Sequence, residues 1–217
     1  MNTEQARFNM IEQQIRPWNV LDQDVLNLLS IVKRENYVPA AYKNLAFADI
    51  EIPLAAGQKM LQPRIEARVL QEVGVKKHET VLEIGAGSGY MSALLAHRGR
   101  HVLAVDIKPE MVALARENLS QDGVTNVEVV EGDGARGWAD GAPFDVIVVS
   151  GGLPVLPQDL LGQLKIGGRL AAFVGVLPVQ KAQIITRVGE SEYKIDDVFE
   201  AYIDPLLNAI EPPHFKF

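Results

Sequence analysis

A chain of 217 residues is long enough for one well-buried domain with an appended segment. It holds no cysteine, which excludes disulfides, thiolate zinc and iron–sulfur sites and a cysteine nucleophile, and no run approaches the roughly 18 apolar residues a membrane span needs, so a soluble, cytoplasmic protein is expected. Acidic residues outnumber basic ones 28 to 21, and a net charge of -7 without a dense Lys/Arg run repels a phosphate backbone, so nucleic acid is not expected as a partner.

In chain order, Phe8, Ile11 and Ile15 fall on one face of a first helix, which Arg16 and Pro17 stop because proline disfavours helical geometry in the residue before it. Asp22 suits the N-cap of a second helix whose Val25, Leu28, Leu29 and Val32 form an amphipathic stripe. Residues 40–62 carry little sustained period and read as irregular with a short strand; Pro63 then opens a helix with Ile65, Val69 and Val73 on one face and Gly74 at its end. From Thr80 onward apolar runs alternate with helices, the pattern of a parallel sheet covered on both faces. Strands are expected at 80–84, 101–106, 127–132, 144–150 and 169–175, and helices over MSALLAHR, PEMVALARENL and PQDLLGQL. After Pro178 the period falls to two, and QKAQIITRV, GES and EYKIDDVFEAY predict an antiparallel hairpin at the sheet edge. The expected fold is α/β, a doubly wound, mostly parallel Rossmann-like sheet. Residues 1–74 form an N-terminal helical, substrate-side segment and residues 75–217 the ligand-binding domain.

The most informative stretch is VLEIGAGSGY, residues 81–90. A strand, a glycine-rich turn and a helix make a ligand site, because backbone N–H groups at the helix start are unpaired and small residues permit close approach. A dinucleotide fingerprint needs G-x-G-x-x-G, whereas Gly85, Gly87 and Gly89 are spaced G-x-G-x-G and Tyr90 takes the sixth position. The spacing from Glu83 through Gly89 instead resembles that of S-adenosylmethionine-dependent methyltransferases, whose ligand carries a sulfonium and an amino acid moiety. Asp106, 21 residues past Gly85 at the end of the second strand, is placed to accept hydrogen bonds from both ribose hydroxyls. Asp133, in EGDG after the third strand, is placed to accept from the adenine amino group, and Ile107 and Gly134 join the site beside these two acids. The plainer readings are a solvated strand-end acid for Asp106 and a turn former for Asp133. Three elements in order, each at a strand's carboxyl end, favour the ligand. Glu83 either reaches the donor's amino group through water, the reading favoured, or braces the turn.

From about Arg34 to Gln180 the chain resembles the protein L-isoaspartate O-methyltransferases. The resemblance is carried by RENYVP (34–39), AY (41–42), IPL (52–54), GQKMLQP (57–63), VLEIGAGSGY, EGDG, PFDVIVVS (143–150), QLKIGGRL (163–170), then VG and a following glutamine. It implies S-adenosyl-L-methionine as cofactor, a peptide or protein carboxylate as substrate, and methylation of the isoaspartyl side chains formed as aspartyl and asparaginyl residues age, a repair step. Two departures stand out. The family's Gly-x-Thr-Ile-Ser-x-Pro includes an active-site serine, and the matching positions here are Lys59, Met60 and Leu61. The family's two alanines after the fourth strand are Gly151 and Gly152, expected to open space near the donor. A carboxylate is already the anionic nucleophile at neutral pH, so no proton relay is lost with the serine. The missing hydroxyl removes one hydrogen bond, about 0.5 to 1.5 kcal/mol or up to roughly 3 with a stranded charged partner, a change of about 3- to 100-fold in rate. Lys59 either supplies a replacement donor or is a solvated loop lysine, the plainer reading. A small-metabolite acceptor, or a donor-binding chain without catalysis, remain alternatives.

Other candidates carry less. His97 and His101 are separated by Gly99 and are not expected to share a face as a metal pair, His78 and His214 lack ligand partners, and no metal is expected. Ser88 lacks the glycines of a nucleophile elbow. Trp18, Tyr37 and Tyr42 either cover the site from the N-terminal segment or belong to the core.

Overall fold

The computed structural model describes residues 2–212. Helix α1 (Thr3–Met10) runs into a π-helical turn at Ile11–Ile15, and α2 (Gln23–Ile31) starts on Asp22, whose carboxylate accepts from the Asp24 and Val25 N–H groups. Residues 40–62 contain a 3-10 turn at Ala40–Leu45 and a minimal antiparallel ladder of β1 (Ile52–Pro53) with β2 (Lys59–Met60). Helix α3 (Pro63–Val73) opens on its proline and closes on Gly74 in left-handed geometry.

The remaining elements are β3 (Thr80–Ile84), α4 (Tyr90–Arg98), β4 (His101–Asp106), α5 (Pro109–Gln121), β5 (Val127–Glu131), β6 (Phe144–Leu153), α6 (Gln158–Gly162), β7 (Leu164–Val176), β8 (Val179–Arg187) and β9 (Tyr193–Glu200). They build a seven-stranded sheet ordered β5-β4-β3-β6-β7-β8-β9, parallel from β5 to β7 and antiparallel thereafter. The chain leaves β3 toward β5 on one side and returns through β6 on the other, so the strand order reverses between β3 and β6. At such a point the loops diverge and leave a crevice above the strands' carboxyl ends.

Both faces of the sheet are covered, unequally. Val81, Val102, Ala104, Val146 and Val148 pack in one core with the N-terminal helices, α4 and α5. Leu82, Ile84, Leu103, Val105, Ile147 and Val149 point the other way, where α6, Trp138 and Leu206 cover them. This alternation follows from the two-residue period of a strand, and it places Glu83 on the α4 side and Ile84 on the opposite face.

Three expectations are corrected in detail. Phe8 is 58% exposed, and Arg7 and Met10 take the inward places with Ile11 and Ile15. The Arg7 guanidinium is drawn in by an ion pair with Glu35 and lies 5.7 Å from the Phe47 ring centroid. The helix expected over PQDLLGQL spans only Gln158–Gly162, because the Gln163 carbonyl already accepts from the Phe144 N–H at 2.8 Å and Leu164 pairs with Phe144. For the same reason β7 begins five residues before Arg169, at Leu164.

Arg169 is a staple of this framework. Its guanidinium donates to both Glu79 oxygens at 2.6 and 2.8 Å and to the Gly74 carbonyl at 2.7 Å, joining β7 to the segment between α3 and β3. Burial alone would raise the Glu79 carboxyl, but hydrogen bonds from Arg169 and the Lys76 N–H outweigh it and hold Glu79 below its ordinary value. Arg169→Met strands a largely buried carboxylate and is expected to destabilise the fold by about 3 kcal/mol. Calorimetry should record this as a fall in Tm of roughly 6 to 12 °C.

Candidate active site

The glycine turn leaves β3 at the reversal point. Gly85 and Gly87 have φ values of 92° and 52°, open to glycine at little cost, and the Gly85 N–H donates to the Val105 carbonyl at 2.8 Å. Asp106, 7% exposed, receives the Gly87 N–H on Oδ2 at 2.9 Å and the Lys108 N–H on Oδ1 at 2.9 Å. Each oxygen keeps a lone pair, so the carboxylate is fixed in place yet able to accept a hydroxyl on both atoms.

A cleft of about 270 Å³ opens over these residues. Gly85, Gly87, Asp106, Ile107, Asp133 and Gly134 all line it, as do Lys59 and Leu61 on the facing side. Eight of the ten residues singled out from the sequence therefore meet around one cavity, with Glu83 buried behind it. Gly89 stands apart: it starts α4 with φ of 83°, and a Cβ there would lie 3.2 Å from the Ala115 Cα, so this glycine lets α4 and α5 pack. Gly134 serves packing as well as the cleft, since a Cβ would come within 2.7 Å of Ile84.

Asp133 takes the turn-forming role weighed for it and also engages Asn208 at the cleft. Its Oδ1 accepts from the Ala135 N–H at 2.9 Å, a turn-forming contact, while Oδ2 accepts from Asn208 Nδ2 at 2.9 Å. Glu83 is fully buried; Ser92 donates to Oε2 and Ser150 to Oε1 at 3.3 Å, so it braces β3 against α4 and β6. Burial pushes its carboxyl up to about 8 against the pull of the two hydroxyls, with the nearby Glu66 and Asp106 adding to the rise.

On the facing side, the buried Arg34 guanidinium fixes the segment that carries Leu61. It pairs with the buried Glu66, donates to the Leu61 carbonyl at 2.6 Å and to the Ala46 carbonyl at 3.1 Å, and lies 5.1 Å from the Tyr90 ring centroid. Lys59 is neither a free donor nor a simply solvated lysine: its Nζ bridges Glu51 at 3.0 Å and Asp204 at 2.7 Å. Those partners raise its pKa, Asp204 first, so the ammonium is held in its charged form and is already engaged.

The expectation about Gly151 and Gly152 is overturned. A Cβ on Gly151 would meet Leu206 Cδ2 at 2.5 Å, and one on Gly152 would meet the Ile203 carbonyl oxygen at 2.5 Å. The room these glycines leave is filled by residues 203–207, which form a wall of the cleft. This strap went unread in the sequence, as did Glu51, Ser92 and Ser150. Its one signal was the apolar IDPLL after the last polar strand. Trp18, Tyr37 and Tyr42 do not line the cleft; Trp18 packs on Phe199 at 5.5 Å, and Tyr37 on Tyr90 at 5.4 Å while its hydroxyl donates to Asp122. Among the described residues no group of three His, Asp or Glu side chains is arranged for a metal, no helix is long and apolar enough to cross a membrane, and His214 lies outside them.

A parallel sheet that reverses at β3 and β6, with a glycine turn and strand-end acids around one cleft, defines the α/β methyltransferase class of fold. A Plasmodium falciparum protein described as a protein-L-isoaspartate O-methyltransferase, in complex with S-adenosyl-L-homocysteine, has the same fold, with a TM-score of 0.80 over 95% of this chain and 98% of that one at 19% identity. Curated protein-L-isoaspartate O-methyltransferases from Methanoculleus marisnigri and Rhodopseudomonas palustris are 41% and 39% identical, over 86% and 92% of this chain and 85% and 92% of their own. The sequence matches the family described as protein-L-isoaspartate(D-aspartate) O-methyltransferase over residues 5–209, and the chain belongs to that family of S-adenosylmethionine-dependent methyltransferases.

The Glu83 carboxyl generates a pH prediction. Folded, it keeps its proton up to about pH 8, whereas the unfolded chain releases it near the ordinary value of about 4.3. Between those limits the native state binds more protons, so this group's contribution to stability is full at low pH and is lost as pH rises. Glu83→Gln is expected to flatten that decline. Urea midpoints measured at about pH 5 and about pH 8 should converge in the variant relative to the native chain.

Proposed function

We propose that the cleft holds S-adenosyl-L-methionine and that the chain methylates the side-chain carboxylate of isoaspartyl residues in peptides or proteins, as a repair step in the cytoplasm. The observation that carries this reading is the Asp106 carboxylate, locked by two backbone N–H groups with a lone pair free on each oxygen at the rim of the glycine turn. Two adjacent ribose hydroxyls match that pair of acceptors. Ile107 and Gly134 flank the purine end, where Asp133 accepts the adenine amino group beside Asn208. Glu83, behind Gly85, keeps its brace to Ser92 and Ser150 and offers an oxygen of its neutral carboxyl to the donor's ammonium through water. In this reading residues 1–74 supply the acceptor side and residues 75–217 the donor side.

The bound donor supplies a methyl on sulfonium sulfur; the acceptor oxygen forms the new bond to carbon while the carbon–sulfur bond breaks and its electron pair stays on sulfur. The chain's task is alignment and exclusion of water. Leu61 forms the apolar wall on the acceptor side, held by Arg34 through its carbonyl, and Lys59 ties that wall to the strap. No side chain needs to remove a proton, because a carboxylate arrives already ionised. With the space at Gly151 and Gly152 filled, the small-metabolite reading keeps only the absence of a hydroxyl at Leu61 in its support.

Transfer of labelled methyl to an isoaspartyl peptide tests the proposal, with Leu61→Ser and Asp106→Ala alongside. The native chain should turn over, Leu61→Ser should raise kcat/KM by about 3- to 100-fold, and Asp106→Ala should lose donor affinity through at least one charge-assisted bond, about tenfold or more. Turnover appearing only in Leu61→Ser would point to a different acceptor. Donor binding without turnover in either protein would remove the catalytic reading.

A further inference from the structure

The glutamine that follows VG in the resemblance, Gln180, has no part in the chemistry above, yet it is bonded to a residue of the cleft wall. Gln180 lies on β8, is 4% exposed, and pairs both ends of its side-chain amide with one residue of the strap: Nε2 donates to the Ile203 carbonyl at 3.2 Å, and the Ile203 N–H donates to Oε1 at 2.6 Å. A single side chain thus supplies both hydrogen bonds of a ladder rung to a segment that has no strand of its own. One step further on, the Gly152 N–H donates to the Asp204 carbonyl at 2.8 Å and the Leu206 N–H to the Gly152 carbonyl at 2.9 Å.

These contacts set the position of the wall. Ile203, Pro205 and Leu206 line the cleft, and a methyl placed on Gly85 would lie 3.8 Å from Leu206 Cδ2, so the strap packs close beside the glycine turn at the cleft wall. A Cβ at Gly152 would come within 2.7 Å of Gln180 Nε2 as well as 2.5 Å of the Ile203 carbonyl. The glycine therefore admits Gln180 and the strap together. Loss of the Gln180 amide leaves a buried N–H and a buried carbonyl of Ile203 without partners, which favours release of the strap to water. The β8 ladder is made by the backbone and does not depend on this side chain.

We propose that Gln180 is a positioning residue for methyl transfer: acting through residues 203–207, it holds one wall of the cleft against the glycine turn and so sets how tightly the adenosyl donor is retained, without touching the reacting atoms. The inference rests on the donor reading of the cleft. It separates affinity from chemistry, because the acceptor-side wall at Leu61 is held by the buried Arg34, and the pair that links this wall to the strap, Lys59 with Asp204, is exposed and weak.

Gln180→Met, of similar length and without donor or acceptor, tests it by calorimetry with S-adenosylhomocysteine, steady-state kinetics and hydrogen exchange. The expected result is a Kd and a donor KM raised about tenfold or more, with kcat at saturating donor within about threefold of native. Exchange should speed up at the Ile203, Leu206 and Gly152 amides while the β3 and β4 amides and those of β6 up to Val149 stay protected. A folded variant that binds as tightly as the native chain overturns the inference, and so does a fall in kcat as large as the loss of affinity. If Gln180→Met fails to fold, Gln180→Glu, which keeps the acceptor for the Ile203 N–H and loses the donor, is read by the same criteria. Failure of the native chain itself to bind S-adenosylhomocysteine would instead remove the donor reading on which the inference stands.

Discussion

The hydrogen bond from the Gly87 N–H to Asp106 is the contact on which the cleft depends. It crosses from the turn after β3 to the end of β4, so the two neighbouring strands deliver one preformed acceptor. The turn keeps this geometry because Gly85 and Gly87 adopt positive φ at little cost, and Lys108 holds the other oxygen. A carboxylate that already accepts two backbone N–H groups loses little freedom when hydroxyls arrive, and preorganisation of this kind converts more of each contact into affinity. The remaining walls, Leu61 on one side and Leu206 on the other, are positioned relative to that anchor.

Those walls are held by unlike means. The Leu61 segment hangs on a buried guanidinium, Arg34, whose charge is met by Glu66 and whose other N–H groups reach two carbonyls. Breaking such a pair on one side costs far more than the pair contributes as a whole, so Arg34 and Glu66 are constrained jointly. The strap hangs on neutral contacts, two to the Gln180 amide and two backbone bonds to Gly152, and on the exposed Lys59 and Asp204 pair. Exposed pairs of that kind contribute about 0 to 1 kcal/mol and weaken with salt, so the strap is the softer of the two sides.

Much of the donor half was legible because its signals are local. TVLEI and HVLAVD are mostly apolar stretches bounded by turn residues, and the observed strands begin and end where those stretches do. The spacing of Gly85, Gly87 and Asp106 likewise depends on one strand and its neighbour. What stayed hidden depends on long-range partners. Gly151 and Gly152 advertise missing side chains, but not which segment occupies the space, and residues 203–207 show no period to mark them. Phe8 looked buried by spacing until the π-helical turn and the ion pair of Arg7 reset the face. Lys59 could not be read without Glu51 and Asp204, eight residues before it and 145 after it.

The two sheet edges have a consequence for how copies of the chain meet. β9 carries Lys194, Asp196, Asp197 and Glu200 at one border of the sheet, with Asp196 paired to Lys194 and Asp197 to Lys181, and β5 at the opposite border carries Glu128 and Glu131. An edge-to-edge approach of two molecules has to strip water from these charged side chains before any backbone pairing can form. Strands that bear charge in this way resist the extension of a sheet from one molecule into the next, a guard against ordered aggregation that the open ends of a seven-stranded sheet otherwise invite.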